Sequence, residues 1–298
     1  MTAAEMLHGF AVLDGAAFDN LPRELQERKA NAQCLYSGSL PPDVFANAPW
    51  LILFSDPVSD DPVARWIHKD GAGQPWGILG LFTGDAQALH HHLRGINLAT
   101  MPNGGQVLFR WYDPRVLTDI LTLLSPAQLA RLYGPIATLV ISQTGGSLSI
   151  HGRPADYTQF PHTPGLLAIT REQVARLDEL RFRRFAKELS AKVAHDYPTV
   201  FKSFSQAEVE TIVRSGLARA LGYGLTWESS LIAYLYLMAG IAPDFDQHPA
   251  IKCVLKRTDI PADQRIDELF YSVSLNNWTQ ARQGSNFDEW QILLRGKI

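Results

Sequence analysis

The spacing of apolar residues changes character once along this chain, between Arg153 and Thr170, and that change limits the fold more than any other feature. Before it, short apolar runs of the kind that fill buried strands alternate with segments whose apolar residues recur at helical spacing. After it, the pattern is helical. A chain of 298 residues is long enough for one large domain or two ordinary ones, each with a real core. The break divides it into an α/β (α+β) domain over residues 1–153 and an all-helical lobe over residues 166–298.

Within the first part, Gly9 to Leu13, Gln33 to Tyr36, Trp50 to Phe54 and Trp76 to Phe82 read as strands. Leu21 to Lys29, Asp61-Pro62 through Ile67, and a segment capped by Thr83 or Asp85 and ending at Arg94 read as helices. Leu98 to Met101 and Gln106 to Tyr112 flank Pro102-Asn103-Gly104-Gly105, a hairpin signal. Val116 to Leu124 and the segment opened by the capping box Ser125-Pro126-Ala127-Gln128 are helical. Ile136 to Ser142 and Ser147 to Ile150, joined through Gly145-Gly146, form a closing hairpin. Strands separated by helices predict a layered arrangement with flanking helices, and the hairpins make the β-sheet mixed. Pro154, Pro161 and Pro164 mark Gly152 to Gly165 as a linker or crossing loop.

In the second part Thr170-x-x-Gln173 is another capping box, with Val174, Leu177, Leu180, Phe185, Leu189 and Val193 as one apolar stripe. Pro198 ends that helix. Ser205-x-x-Glu208 opens the next, Thr226 can cap a third, strongly apolar one, and Pro261 starts a fourth through Phe270. Trp278, Trp290 and Ile292 to Leu294 predict that the tail docks.

Hydrophobic residues at 46% and charged residues at 19% describe an ordinary soluble globular protein rather than a disordered one. The net charge of −3 gives no electrostatic reason to expect nucleic acid or an anionic membrane as partner. Cys34 and Cys253 lie far apart in apolar settings, which predicts reduced, buried thiols in a cytoplasmic protein. The N-terminus lacks a basic region and a long apolar stretch, so no signal peptide is expected. The longest apolar run, Leu231 to Ile241, is far short of the ~20 residues that span a bilayer.

Candidate chemistry is sparse. His90-His91-His92 invites a metal, but consecutive helical residues point about 100° apart and cannot converge on one ion. Asp70-Gly71-Ala72-Gly73 has the glycine content of a phosphate loop, yet it precedes a strand and lacks the Gly-Lys-Ser/Thr ending. Gly145-Gly146-Ser147-Leu148-Ser149 is not a nucleophile elbow, although His151 and Asp156 lie nearby. Asp14, Asp56, Asp60 and Asp61 sit in turns and caps, which accounts for them without catalysis. No catalytic, cofactor-binding or metal residue is therefore expected, and no cofactor. Arg181, Arg183 and Arg184 belong to a basic run interleaved with acids, for the most part a solvated helix face that could meet an acidic partner surface.

The densest cluster is Val107-Leu108-Phe109-Arg110-Trp111-Tyr112-Asp113-Pro114-Arg115-Val116-Leu117. A strand over 107–112 would put Leu108, Arg110 and Tyr112 on one face and Val107, Phe109 and Trp111 on the other. Asp113-Pro114 then starts a helix. An arginine held in a sheet must be paired, and Asp113, Asp14 or a backbone carbonyl could do this. Asp14, Arg110, Tyr112, Asp113 and Arg115 are accordingly expected to anchor the fold.

The order of these elements resembles a known family. Ala11-Val12-Leu13-Asp14-Gly15, Ala48-Pro49-Trp50-Leu51, Trp76-Gly77-Ile78, a helix ending His92-Leu93-Arg94, the 107–117 cluster and Tyr133-Gly134-Pro135 follow one another as in the DUF4123 family. Those proteins are adaptors or chaperones of bacterial type VI secretion. The resemblance covers about residues 8–140, and Phe109-Arg110 with Tyr112-Asp113-Pro114-Arg115-Val116 is its most specific part. Residues 220–226 and 243–246 are similar to the helical extension many members carry. The resemblance implies a non-enzymatic cytoplasmic protein that holds a toxic effector and helps load it onto the VgrG spike. The partner surface is expected between the lobes, drawing on helix 171–193 with Arg181, Arg183 and Arg184. The alternative is a hydrolase or metal-dependent enzyme using His151 or the histidine cluster.

Overall fold

Phe10, Ala11, Val12 and Leu13 are completely buried because their strand is covered on both faces. In the computed structural model, which describes residues 6–71, 74–142, 147–154, 167–285 and 288–294, the chain forms two compact units, Met1–Asp178 and Glu179–Ile298.

The strands of the first unit are β1 (Leu7–Asp14), β2 (Ala32–Cys34), β3 (Pro49–Leu53), β4 (Gly77–Thr83), β5 (Leu98–Thr100), β6 (Gln106–Leu108), β7 (Ile136–Ser142), β8 (Leu148–Gly152) and β9 (Leu167–Ala168). Its helices are α1 (Leu21–Glu27), α2 (Pro42–Ala46), α3 (Pro62–Asp70), α4 (Ala86–Gly95), α5 (Pro114–Leu121) and α6 (Pro126–Tyr133). The main sheet runs β2-β3-β1-β4-β7-β8 and is antiparallel throughout. A small sheet, β6-β5-β9, joins β5 to β6 antiparallel and β5 to β9 parallel, so mixed pairing is confined to it. The expected class, a sheet with flanking helices followed by a helical region, is the one observed.

Alternation along β1 feeds two cores. Phe10 and Val12 join Leu89, Leu93, Leu117, Ile120 and Leu132 from α4, α5 and α6. Ala11 and Leu13 join Leu21, Leu25, Val63 and Ile67 from α1 and α3. Full burial of each such leucine, isoleucine or phenylalanine contributes about 1.5–3 kcal/mol. This explains why β1 reads as an unbroken apolar run rather than as an alternating one.

The next helix, α7 (Arg171–Asp196), begins in the first unit and continues into the second. Val174 and Leu177 pack into the core around α5 and α6, whereas Ala186, Leu189 and Val193 belong to the core of the second unit. That unit continues with α8 (Pro198–Phe201), α9 (Gln206–Gly222), α10 (Glu228–Gly240), α11 (Pro249–Leu255), α12 (Arg265–Ser272), α13 (Leu275–Gln283) and α14 (Glu289–Leu294). The Ser205–Glu208 capping box is formed at α9. Thr226 does not cap α10, whose N-cap position is Trp227 and carries no side-chain cap. Asp263 instead braces the segment before the helix, accepting from Thr226 N (2.7 Å), Trp227 N (2.8 Å) and Thr226 Oγ1 (2.9 Å). The tail docks through Trp290, which is buried edge-on against Phe201.

Two other expectations change. Cys253 is exposed and Cys34 half-buried, because Ile251, Val254 and Leu255 form the inward face of α11 and Cys253 falls on the other. The strand expected over 107–112 ends at Leu108. Among the described residues no helix is long and apolar enough to cross a membrane.

Candidate functional site

Beyond Leu108 the backbone turns twice, with Trp111 N donating to Phe109 O (2.9 Å) and Asp113 N to Arg110 O (3.0 Å). Strict alternation therefore fails. Trp111 and Tyr112, adjacent in sequence, are both buried, while Val107 and Leu108 are exposed. The turn frees Arg110 from the sheet and lets its guanidinium reach Asp14 at the end of β1, forming an ion pair.

Asp14 is buried, with a side chain 4% exposed against 40% for Arg110. It also accepts from Ala16 N (3.2 Å), capping the short turn after β1. Partial burial works against the Arg110 charge, but the Asp14 carboxylate outweighs it and raises the guanidinium pKa above its ordinary value. Asp113 caps α5 through Arg115 N (2.9 Å) and holds the Arg115 side chain at two points, Nε to Oδ1 (3.0 Å) and Nη2 to Oδ2 (2.8 Å). Burial pushes the Asp113 carboxyl up; the bonds from Arg115 and the charge of Arg110 prevail and lower it. Tyr112 places its hydroxyl 3.3 Å from that of Tyr36. Burial and the Tyr36 contact raise the Tyr112 phenol far above its usual range, so it is neutral around pH 7. The five residues Asp14, Arg110, Tyr112, Asp113 and Arg115 thus lie in one electrostatic neighbourhood, with the carboxylates inward and the guanidinium edges half-exposed. Such a group can fix a corner and present two arginine edges outward; its acids are already engaged by arginine.

Motifs far apart in sequence meet around this corner. Asp14 N donates to Trp76 O (2.8 Å) and Gly15 N to Ala48 O (3.1 Å). A Cβ on Gly15 would lie 2.5 Å from Ala48 O, which is why the chain needs glycine there. His92 Nε2 lies 3.0 Å from Leu132 O, and its ring covers Gly134, whose φ is +49°. Asn97 bridges two elements. It accepts from Trp111 Nε1 (3.0 Å) and donates to Leu35 O (2.9 Å). A buried asparagine between a helix and a strand reads as a turn residue, so no sequence signal separated it. Tyr36 was likewise unmarked.

The histidines diverge as helical geometry requires. His90 Nε2 meets Cys34 O (3.1 Å), His92 is buried, and exposed His91 borders a cavity of about 590 Å³ shared with Tyr36, Arg94 and Asn97. Among the described residues no group of three or more His, Cys, Asp or Glu side chains is placed to share a metal ion. Asp61 caps α3 through Val63 N (2.8 Å) and Ala64 N (3.2 Å). Trp76 Nε1 donates to Gly71 O (2.7 Å), while Ala72 and Gly73 of the same loop lie outside the described residues. His151 Nε2 lies 3.1 Å from Ser149 Oγ on β8; Asp156 and Gly145-Gly146 lie outside the described residues. On α7, Arg183 pairs with Glu179, Arg181 is exposed and Arg184 is half-buried.

In the second unit the segments 220–226 and 243–246 come together. Tyr223 Oη donates to Asp246 Oδ2 (3.0 Å), Arg219 forms an ion pair with the fully buried Asp246, and Arg219 Nη1 donates to Pro243 O (2.8 Å). The Arg219–Asp246 pair was not singled out in the sequence, since an arginine and an aspartate 27 positions apart carry no spacing signal.

Residues 9–131 match the family model described as Domain of unknown function (DUF4123). The matched stretch takes in β1 to β6 and the corner, and stops before β7 and β8, which complete the main sheet. Comparison with curated proteins and with solved structures gives no significant match.

Proposed function

Residues 9–131 are a domain of the DUF4123 family, and from that premise we propose that the chain is a type VI secretion adaptor or chaperone. In this reading it binds a cognate toxic effector in the cytoplasm, helps load it onto the VgrG spike, and has no catalytic activity of its own. The observation that carries the reading is the corner at 109–115, where the most specific family residues engage one another rather than a reacting centre. The half-exposed Arg110 and Arg115 edges are the kind of arginine surface that protein interfaces favour. On α7, Arg181, Arg183 and Arg184 supply further basic groups for a partner.

Co-expression with the products of neighbouring spike and toxin genes, followed by affinity purification, tests the proposal. Stable co-purification of an effector or spike is expected, and charge reversal at Arg181, Arg183 and Arg184 should weaken it while the fold persists. No association with either partner would overturn the adaptor reading.

The Ser149–His151 contact favours one alternative, hydrolysis through an activated serine. Labelling of Ser149 by a fluorophosphonate probe, abolished in His151→Ala, would support it. An unlabelled protein would remove it.

A further inference from the structure

The C-terminal unit contains a cavity of about 560 Å³ lined by Arg219, Lys252, Lys256 and Arg265 together with Tyr223 and Asp246. Gathering four cations at one opening is unusual in a chain whose net charge is −3. Like charges repel, so an anion placed among them is attracted to such a cluster.

Of the four, Arg219 alone is held in an ion pair among the described residues. Arg219 is paired with Asp246, whose carboxylate also accepts from Tyr223 Oη (3.0 Å) and Gln247 Nε2 (2.9 Å). Arg265 donates to three backbone carbonyls, of Ile260 (3.2 Å), Tyr223 (3.1 Å) and Leu255 (3.0 Å). These bonds fix the guanidinium and leave its charge in place. Lys252 Nζ donates to the neutral amide of Gln247 (2.9 Å). Among the described residues Lys252, Lys256 and Arg265 form no ion pair. Of the acids nearby, Asp259 (2.6 Å) and Glu268 (2.8 Å) are held by Arg257, and the Arg265 charge also helps keep the Asp259 carboxyl below its ordinary value.

We propose that this cavity docks an acidic peptide segment of a protein partner. Charge complementarity selects the class, and the form of the site selects a peptide over a small anion. Sites for a lone phosphate focus backbone N–H groups on one point. Here the charges belong to side chains on α9, on α11 and its C-cap, and at the start of α12. Lys252 and Lys256 stand one turn apart on long stems, and lysine acts as a mobile point charge. That spacing suits successive carboxylates on an extended chain. The inference does not depend on the adaptor reading, because it is measured on the purified chain alone.

Fluorescence anisotropy of a labelled hexaglutamate peptide with the full chain provides the test. Binding is expected to weaken as salt rises from about 0.05 to 0.5 M, as contacts between exposed charges do. K252E/K256E should lower affinity about tenfold or more, as reversing charges at a complementary contact does, with an unchanged circular dichroism spectrum. K192E, an exposed lysine on α7, should leave binding unaltered. Absence of hexaglutamate binding, equal binding by K252E/K256E, or an equal loss in K192E would each overturn the proposal. Complete displacement of the peptide by millimolar inorganic phosphate would also overturn it, in favour of a small-anion pocket.

Discussion

The side-chain amides of Gln128 and Gln173 form a closed pair, each donating to the other at 3.0 and 2.7 Å. Each is also the third residue of its own helix and reaches back to its cap. Gln128 Oε1 accepts from Ser125 N (2.8 Å) and Gln173 Oε1 from Thr170 N (3.0 Å). Gln173 Nε2 additionally donates to Leu123 O (2.8 Å). Two capping boxes are thereby locked to one another, tying the start of α7 to α6.

Removing either glutamine leaves partly buried backbone groups and one amide unsatisfied. Q128A and Q173A should each cost about 1–2 kcal/mol. Because they share partners, the double variant should cost less than the sum of the two. Urea denaturation of the two single variants and the double variant measures this, and strict additivity would show that the amides act independently.

Arg110→Ala strands the buried Asp14 carboxylate without its cation. Since Arg110 is half-exposed and water can enter in its place, the expected loss is about 1–3 kcal/mol, below that for a fully buried pair. Adding Asp14→Asn should restore part of it. Thermal denaturation decides the matter, and an R110A protein as stable as the parent would mean that the pair contributes no anchoring.

Asp113 supplies a pH dependence. Its folded pKa lies below its ordinary value, so its contribution is fully present above the unfolded value, about 3.9 for an aspartate, and is lost as pH falls through the folded value. Stability followed by denaturant titration should therefore decline below about pH 4, with a shallower acid limb in Asp113→Asn. An identical acid limb in both proteins would assign the decline to other groups.

Gly134→Ala faces two obstacles. The position has φ of +49°, and a new Cβ would lie 2.3 Å from the His92 ring. A loss of about 2 kcal/mol or more is expected from the left-handed backbone together with displacement of the ring. Adding His92→Ala should relieve the contact and leave the backbone cost, so melting temperatures in the order parent, double variant, G134A are expected.

How much of this was legible in the sequence follows from the range of each interaction. The caps at Asp61, Asp85, Asp113, Ser125, Thr170 and Ser205 are local, and each was readable from a polar residue placed before an apolar repeat. The start of α10 was not, because its N-cap position, Trp227, has no capping side chain and the Asp263 that braces Thr226 comes from 37 residues further along the chain. The corner was misread as strand because β-prone residues fill 107–112. Burial of both Trp111 and Tyr112 favoured a turn over alternation. Among the open pairings for Arg110, Asp14 could be named only as one candidate, since sequence order carries no information about which strand end faces residue 110.

The Asp14–Arg110 contact spans 96 residues, and this has a consequence for synthesis. β1 lies inside the sheet, between neighbours that begin later in the chain, at Pro49 and Gly77. While the ribosome is still extending the chain towards residue 110, the carboxylate at the end of β1 must stay solvated, because burial without its cation is costly. β1, made before the strands it pairs with, is therefore sealed only after residue 110 has been added, and this unit closes late in its own translation.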